Sequence, residues 1–110
     1  MLNTISEIAR AAGALLRAGY GRAHAVEYKG EVDLVTDVDR RSEALILDRL
    51  RALWPDHAIT AEESGRAGHH DYEWYIDPLD GTTNFAHGVP CFAVSIAVAY
   101  RGVLQAAVVY

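Results

Sequence analysis

Apolar residues recur every three or four positions near the start of the chain, with polar residues between them. They are Ile5, Ile8, Ala12, Leu15 and Leu16. Positions with this spacing lie on one face of an α-helix, so the pattern predicts an amphipathic helix from about residue 3 to residue 20. Gly19 and Gly21 are expected to end it, because glycine commonly follows the last turn of a helix.

A second stripe with the same spacing predicts a helix that ends near residue 53. Its members are Leu45, Ile46, Leu50 and Leu53. Thr36 or Asp37 is expected to cap the start of this helix. Thr36 followed by Asp39 resembles a capping box, in which the acidic side chain reaches back to the cap. The polar residues from 21 to 31 are expected to form the loop between the two helices.

The second half of the chain favours β-strands. Runs rich in apolar, β-branched and aromatic residues occupy positions 57–60, 73–76, 91–100 and 103–110. Arg101 and Gly102 separate the last two runs, which is the spacing of a tight hairpin. Two helices followed by strands indicate an α+β or layered αβ fold. The last run is still apolar at Tyr110. An exposed apolar strand at the edge of a sheet tends to pair with other chains, so one explanation of this apolar run is that the chain is part of a longer protein.

Composition limits the class of protein and its partners. The chain has 110 residues, which predicts one domain, and its hydrophobic fraction of 51% is ordinary for a soluble globular protein. The net charge of −5 argues against nucleic acid or an anionic membrane as a partner, because both select basic patches. The single cysteine, Cys91, excludes an intramolecular disulfide and fits a cytoplasmic location. Neither a signal peptide nor a membrane-spanning segment is expected.

The most informative segment is WYIDPLDGTTNF, at positions 74–85. An apolar run leads into Asp77 and Asp80, and Gly81, Thr82 and Thr83 follow at once. Mg²⁺ prefers carboxylate and phosphate oxygens, and phosphate is bound by free backbone N–H groups where a glycine turn opens a helix. The segment therefore indicates a metal-assisted phosphate site. Taken alone, the same Asp-Pro-Leu-Asp-Gly sequence would equally suit a surface turn.

Two further acidic clusters precede this segment. Asp33, Asp37 and Asp39 surround the predicted start of the second helix, and Glu62 and Glu63 follow a predicted strand. Each cluster alone is explained by helix capping or by a solvated loop. If the three loops converge, however, repulsion between the carboxylates would raise their pKa values unless cations neutralise the charges. Two cations roughly 3.5–4 Å apart could then clamp a phosphate and activate a water molecule.

Together these clusters resemble the inositol monophosphatase family of Mg²⁺-dependent, lithium-sensitive phosphomonoesterases. The matching blocks are DLVTDVD at 33–39, EES at 62–64 and WYIDPLDGTTNF at 74–85, in the family's order. The implied fold is two N-terminal helices packed on an antiparallel β-sheet, the N-terminal half of an αβαβα sugar-phosphatase fold. Residues 1–110 would form a single, truncated N-terminal domain. Family members are much longer, and their C-terminal half carries a further metal-binding aspartate and most substrate contacts.

The resemblance implies a set of metal ligands. Glu62 and Asp77 would bind a first Mg²⁺, together with the backbone carbonyl of Leu79. Asp77 and Asp80 would bind a second, so that Asp77 bridges the two cations. Two or three Mg²⁺ ions are expected in all. Ala61 replaces the glycine that usually precedes the paired glutamates, a change that removes no ligand.

The resemblance also implies the residues that act on the phosphate. Gly81 and Thr82 would donate backbone N–H groups to it. Thr82, hydrogen-bonded toward Asp39, would orient or deprotonate the metal-bound water. Lys29 resembles a family lysine near the site, and Glu63 would be structural.

The implied activity is the hydrolysis of a small phosphomonoester, a phosphorylated polyol or sugar, by metal-activated water. Inositol 1-phosphate is the first expected substrate. The alternatives with the same motifs are 3′-phosphoadenosine 5′-phosphate, histidinol phosphate and fructose 1,6-bisphosphate. A homodimer is implied for the full-length form. A non-catalytic role also stays open, because some bacterial members resemble regulators that bind the transcription machinery, and a fragment could merely bind metal.

The remaining candidates for chemistry have simpler explanations. His69 and His70 lie next to each other in a glycine-containing loop and are expected to be exposed rather than to bind metal. His87 is expected to have a packing or solvent role. Cys91 precedes an apolar run and is expected to be a small core residue.

Overall fold

Two long helices are followed by a sheet. The computed structural model describes residues 1–25, 28–62, 64–87, 89 and 91–110, leaving aside the side chains of 21–25, 28–36, 83 and 86. Helix α1 spans Leu2–Ala25 and helix α2 spans Tyr28–Leu53. The strands are β1 at Ala58–Ala61, β2 at Gly65–Ala67, β3 at Tyr72–Asp80, β4 at Ala93–Tyr100 and β5 at Val103–Val109. A short helix, α3 at Thr82–Ala86, joins β3 to β4.

The strands form one mixed sheet in the order β2-β1-β3-β4-β5. Strands β1 and β3 are parallel, and the other described pairs are antiparallel. The predicted fold class is confirmed, but the expected antiparallel sheet is mixed. Strand β2 runs back along the outer side of β1. The chain then reverses once more, and β3 pairs with the other side of β1 in the same direction as β1. The carboxyl ends of β1 and β3 therefore lie next to each other at the same end of the sheet.

The helices are longer than the sequence predicts. Helix α2 has already begun at Tyr28, so the loop expected at 21–31 and the cap expected at Thr36 or Asp37 were wrong. Gly19 lies inside α1 instead of ending it. A Cβ atom at Gly19 would lie 2.5 Å from Cγ2 of Val38, which shows that this glycine lets the two helices approach closely. The closer packing of the helices offsets the low helix propensity of glycine, which costs about 1 kcal/mol of stability relative to alanine.

The core lies between the helices and one face of the sheet. Its largest fully buried side chains include Ile5, Leu16, Val38, Ile46, Leu50, Trp74, Phe85, Val94, Ile96 and Val98. The predicted stripe of α2 is confirmed at Ile46 and Leu50, but Leu53 is 51% exposed. Cys91 is exposed and was wrongly expected in the core. No helix in the described residues is long and apolar enough to cross a membrane.

Candidate active site

A bulge at the end of β3 determines where the two motif aspartates lie. The register with β4 shifts between Asp77 and Asp80, and two successive residues there, Pro78 and Leu79, are both buried. In a regular strand, successive side chains point to opposite faces, so residues three apart would lie on opposite faces. An extra residue in one strand breaks this alternation. Asp77 is consequently half-buried and Asp80 exposed, and neither carboxylate enters the core.

Glu62 and Asp77 line one cleft, with a volume of about 320 Å³, on the face of the sheet opposite the helices. The parallel register pairs Ala61 with Ile76, so the next residues, Glu62 just after β1 and Asp77 within β3, come side by side. Asp77 also folds back on its own loop, where its Oδ1 accepts a hydrogen bond of 3.3 Å from the backbone N–H of Leu79. This contact orients the Asp77 carboxylate, which lines the cleft.

A polar network lies on the same face of the sheet, next to this cleft. Glu73 accepts a hydrogen bond of 3.0 Å from the Thr60 hydroxyl and forms an ion pair of 3.2 Å with Arg66. Tyr75, which lines the cleft, donates a hydrogen bond to Glu73, and this bond raises the pKa of the phenol above its usual 10.0. Tyr75 therefore stays protonated at neutral pH and serves as a hydrogen-bond donor rather than a base.

Gly81 forms the turn between the bulge and helix α3. Its φ angle is +84°, and its carbonyl accepts the first helical hydrogen bond, from the N–H of Phe85 at 3.0 Å. A Cβ atom at this position would lie 2.8 Å from the carbonyl oxygen of Cys91, so the turn needs a glycine. The N–H groups at the start of a helix lack partners inside that helix. Thr82, the first residue of α3, is exposed beside Asp80 and Gly81, which line a neighbouring cleft of about 290 Å³.

Three buried polar residues of α2 lie among the apolar residues of its buried face. They are Asp39, Ser42 and Glu43, with exposed fractions of 7%, 0% and 6%. The Ser42 hydroxyl donates a hydrogen bond of 2.8 Å to the carbonyl of Pro78, inside the bulge. The Ser64 hydroxyl donates one of 2.5 Å to Glu43, from the segment that follows β1. The buried face of α2 thus contacts both loops that carry the predicted ligands.

Comparison with known proteins identifies the family. The sequence matches the inositol monophosphatase family over residues 1–110. The chain belongs to the inositol monophosphatase family. It is 49% identical over 114 aligned positions to the Nus factor SuhB of Escherichia coli strain K12, covering 100% of this chain and 43% of that protein. It is 46% identical over 104 positions to the chloroplastic phosphatase IMPL1 of Arabidopsis thaliana, covering 93% of this chain and 28% of that protein.

Solved structures of the family have the same fold. The inositol monophosphatase of Anabaena sp. PCC 7120 superposes with a TM-score of 0.84 at 43% identity, covering 99% of this chain and 38% of that one. The extragenic suppressor protein SuhB of Bartonella henselae superposes with a TM-score of 0.85 at 37% identity, covering 98% and 42%. The chain therefore spans less than half the length of these family members.

The structure brings some of the predicted site residues together. Glu62 and Asp77 share a cleft, and Asp80 and Gly81 share the neighbouring one, with Thr82 directly after them. Leu79 is buried, with an exposed fraction of 1%, and only its backbone carbonyl is a possible ligand because its side chain is a hydrocarbon. Asp39 is buried on α2, three positions before the serine that contacts the bulge. The Lys29 side chain and Glu63 lie outside the described residues, so the roles predicted for them have no structural counterpart here.

The donor atoms fit an open metal site rather than a closed one. In the part of the chain that the structure describes, no three His, Cys, Asp or Glu side chains lie close enough together to hold a metal ion by themselves. Two carboxylates at one cleft, Glu62 and Asp77, are nevertheless the donor set that Mg²⁺ uses when it keeps several waters and binds substrate phosphate. The residues present are therefore compatible with Mg²⁺.

Sequence reasoning did not identify Ser42 and Glu43 as part of the site. The available indication was helical spacing, because Asp39, Ser42 and Glu43 continue the apolar stripe of Ile46 and Leu50 toward the start of α2. Polar residues on the buried face of a helix need partners. The partners of Ser42 and Glu43 belong to the two loops that carry the predicted ligands.

Proposed function

We propose that this protein takes part in the Mg²⁺-dependent hydrolysis of a small phosphomonoester, with inositol 1-phosphate as the first substrate to test. One observation carries the proposal: Glu62 and Asp77 line one cleft at the carboxyl ends of two parallel strands. The phosphate-binding turn predicted at Gly81 follows Asp77 within four residues. Membership of the family and the relative named phosphatase IMPL1 support a phosphatase activity.

In this proposal each residue of the site has a defined task. Glu62 and Asp77 would hold a Mg²⁺ ion together with the backbone carbonyl of Leu79, and Asp77 and Asp80 would hold a second ion. A cation bound there supplies Lewis acidity and a water of lowered pKa. The bulge keeps the carboxylates out of the core and beside the cleft, where solvent and a phosphorylated substrate can reach them.

The turn after the bulge binds the phosphate. Gly81 and Thr82 donate backbone N–H groups to phosphate oxygens, and the exposed position of Thr82 keeps these donors accessible. Thr82 and Asp39 together orient the attacking water. Phosphoryl transfer relies mainly on positioning and charge neutralisation, so these residues need no covalent chemistry.

A phosphate-release assay tests the proposal. The chain is incubated with Mg²⁺ and each of inositol 1-phosphate, 3′-phosphoadenosine 5′-phosphate, histidinol phosphate and fructose 1,6-bisphosphate, with and without Li⁺. Asp77→Asn keeps an oxygen that accepts the Leu79 hydrogen bond but removes the charge, and it is expected to abolish release. Asp48→Asn is the matched control, because Asp48 is an exposed aspartate on α2. Its release is expected to equal that of the original chain.

The outcomes of this assay distinguish an activity of this chain alone from one that needs a longer form of the protein. If this chain releases no phosphate but a form extended to the length of its relatives does, the activity needs the additional residues. If neither form releases phosphate from any of the four substrates, or if Asp77→Asn retains full release, the proposal is wrong.

A second candidate function rests on the relatives named Nus factor SuhB, one of them 49% identical to this chain. In this alternative the protein acts as a Nus factor without hydrolysing phosphate. The Asp77→Asn variant distinguishes the two functions, because the proposed hydrolysis depends on the charge of that carboxylate and the Nus-factor alternative assigns it no task. An extended form that carries Asp77→Asn and still replaces SuhB in an E. coli strain deficient in it would favour this second candidate.

A further inference from the structure

Two adjacent residues of α2 contact two separate loops. Ser42 is fully buried and donates a hydrogen bond of 2.8 Å to the Pro78 carbonyl in the bulge of β3. Glu43, the next residue, is 6% exposed and accepts a hydrogen bond from Ser64, two residues after Glu62. The two contacts cross 36 and 21 positions of sequence, so they link α2 to segments that are remote along the chain.

These contacts occur where the regular pairing of β3 with its two neighbouring strands is interrupted. The β1–β3 ladder ends with the pair Ala61–Ile76, one residue before Glu62 and Asp77. On its other side, β3 loses its regular register with β4 between Asp77 and Asp80. Proline has no N–H to donate to a ladder, so the bulge also lacks one backbone donor at Pro78. Bonds from α2 to the bulge and to the segment after β1 are therefore well placed to hold the two ligand segments together.

We propose that Ser42 and Glu43 are positioning residues that hold Glu62 and Asp77 at a fixed separation, so that both carboxylates bind the same cation. This inference rests on the metal site of the proposed function. Residues behind a metal ligand typically change metal affinity by ~10–100-fold when they are removed. Neither side chain is expected to touch the metal or the substrate.

The first test breaks each contact separately. Ser42→Ala removes the bond to the bulge, and Ser64→Ala removes the bond to Glu43. Glu43→Gln keeps an acceptor oxygen for Ser64 and is the conservative variant that should retain the contact. Mg²⁺ alone is titrated into each variant by calorimetry. The two alanine variants are expected to bind Mg²⁺ ~10–100-fold more weakly, and Glu43→Gln is expected to stay close to the original chain.

Two control variants separate positioning from stability. Ile46→Val removes a buried methyl group from the same face of α2 and lowers stability, and Ile46 takes part in neither hydrogen bond. Ser6→Ala removes a hydroxyl-to-carbonyl bond of the same 2.8 Å length from the exposed side of α1. Both controls are expected to bind Mg²⁺ as the original chain does. A loss of Mg²⁺ affinity in Ile46→Val as large as that in Ser42→Ala would overturn the proposal.

Hydrogen exchange tests the inference without metal. In the metal-free protein, Ser42→Ala is expected to speed the exchange of backbone amides at 77–82 more than Ile46→Val does, and Ser64→Ala to speed it at 62–65. Unchanged exchange at 77–82 in Ser42→Ala would refute the positioning role. If the original chain binds no Mg²⁺, the metal site of the proposed function fails, whereas the exchange experiment still decides whether α2 holds the two loops.

Discussion

The indole Nε1–H of Trp74 donates a hydrogen bond of 3.0 Å to Nδ1 of His57. The His57 ring also stacks on Tyr72 at a centroid distance of 4.8 Å and an interplanar angle of 17°. Because Nδ1 accepts this bond, the neutral imidazole carries its proton on Nε2. A second proton would bring an N–H group against the indole N–H and leave the fully buried Trp74 without this acceptor. The packing at this end of the sheet therefore favours neutral His57.

The first prediction is a loss of stability in mild acid. Burial lowers the pKa of His57 below 6.5, the nearby His70 lowers it further, and Asp56 partly opposes both effects. When the folded protein has the lower pKa, the unfolded chain binds more protons, so stability rises with pH. The contribution of neutral His57 to stability is complete above pH 6.5, and it declines as the pH falls from 6.5 toward the pKa of His57 in the folded protein. The melting temperature, followed by circular dichroism, is expected to fall across this window.

Two variants check the assignment to His57. His57→Gln offers the Trp74 indole an acceptor that does not titrate, and it is expected to reduce the pH dependence. His69→Gln changes an exposed histidine of the following loop and is expected to leave the dependence as it was. An unaltered pH profile in His57→Gln would assign the effect to another group.

The second prediction concerns the turn that precedes α3. Gly81→Ala is expected to destabilise the protein because the new Cβ would lie 2.8 Å from the carbonyl oxygen of Cys91. Gly102→Ala is the matched control, since its φ of +81° is nearly the same as the +84° of Gly81 but no atom lies within 4 Å of its Cβ position. Both variants carry the cost of a left-handed residue, about 1–2 kcal/mol. Gly81→Ala should lose a further ~1–3 kcal/mol from overpacking, measured by urea unfolding. Equal losses in the two variants would contradict the close contact.

The third prediction concerns the contact between α1 and α2. Gly19→Ala would bring a methyl group to 2.5 Å from Val38 Cγ2, in a fully buried position. Overpacking of this kind costs about 1–3 kcal/mol, which exceeds the ~1 kcal/mol that alanine gains in helix propensity. The double variant Gly19→Ala/Val38→Ala removes the clash. The loss of unfolding free energy in the double variant is therefore expected to be smaller than the sum of the losses in the two single variants. Strict additivity would show that the two positions do not compete for space.

The fourth prediction uses stability to detect the metal. A cation that binds only the folded protein stabilises it by about 2.7 kcal/mol at 100-fold above its dissociation constant. Mg²⁺ is therefore expected to raise the melting temperature of the original chain and of Asp48→Asn. It should have no such effect on Asp77→Asn, which lacks one carboxylate of the cleft. A melting temperature that rises equally in all three proteins would place the cation elsewhere.

Local patterns predicted most elements of the fold, and the failures have a physical cause. The strand at 73–76 and the Arg101–Gly102 hairpin were recognisable, since neighbouring residues determine both. The start of α2 was not, because Thr36 and Asp39 resemble a cap that the structure places inside a helix. Gly19 was mistaken for a stop signal, since nothing near it in sequence reveals that Val38 packs against it.

The sequence by itself determined the family and predicts the chemistry of the site. The Asp77–Asp80 pair, the glycine turn after it and the earlier Glu62 are specific enough in type and order to indicate a cation and a phosphate. Only the tertiary structure decided which of these groups meet. Parallel pairing of β1 with β3 places Glu62 beside Asp77, and the buried face of α2 supplies Ser42 and Glu43 to their loops. Periodicity along the chain indicates which face of an element is buried. The direction of strand pairing and the contacts between remote segments depend on packing across the whole core.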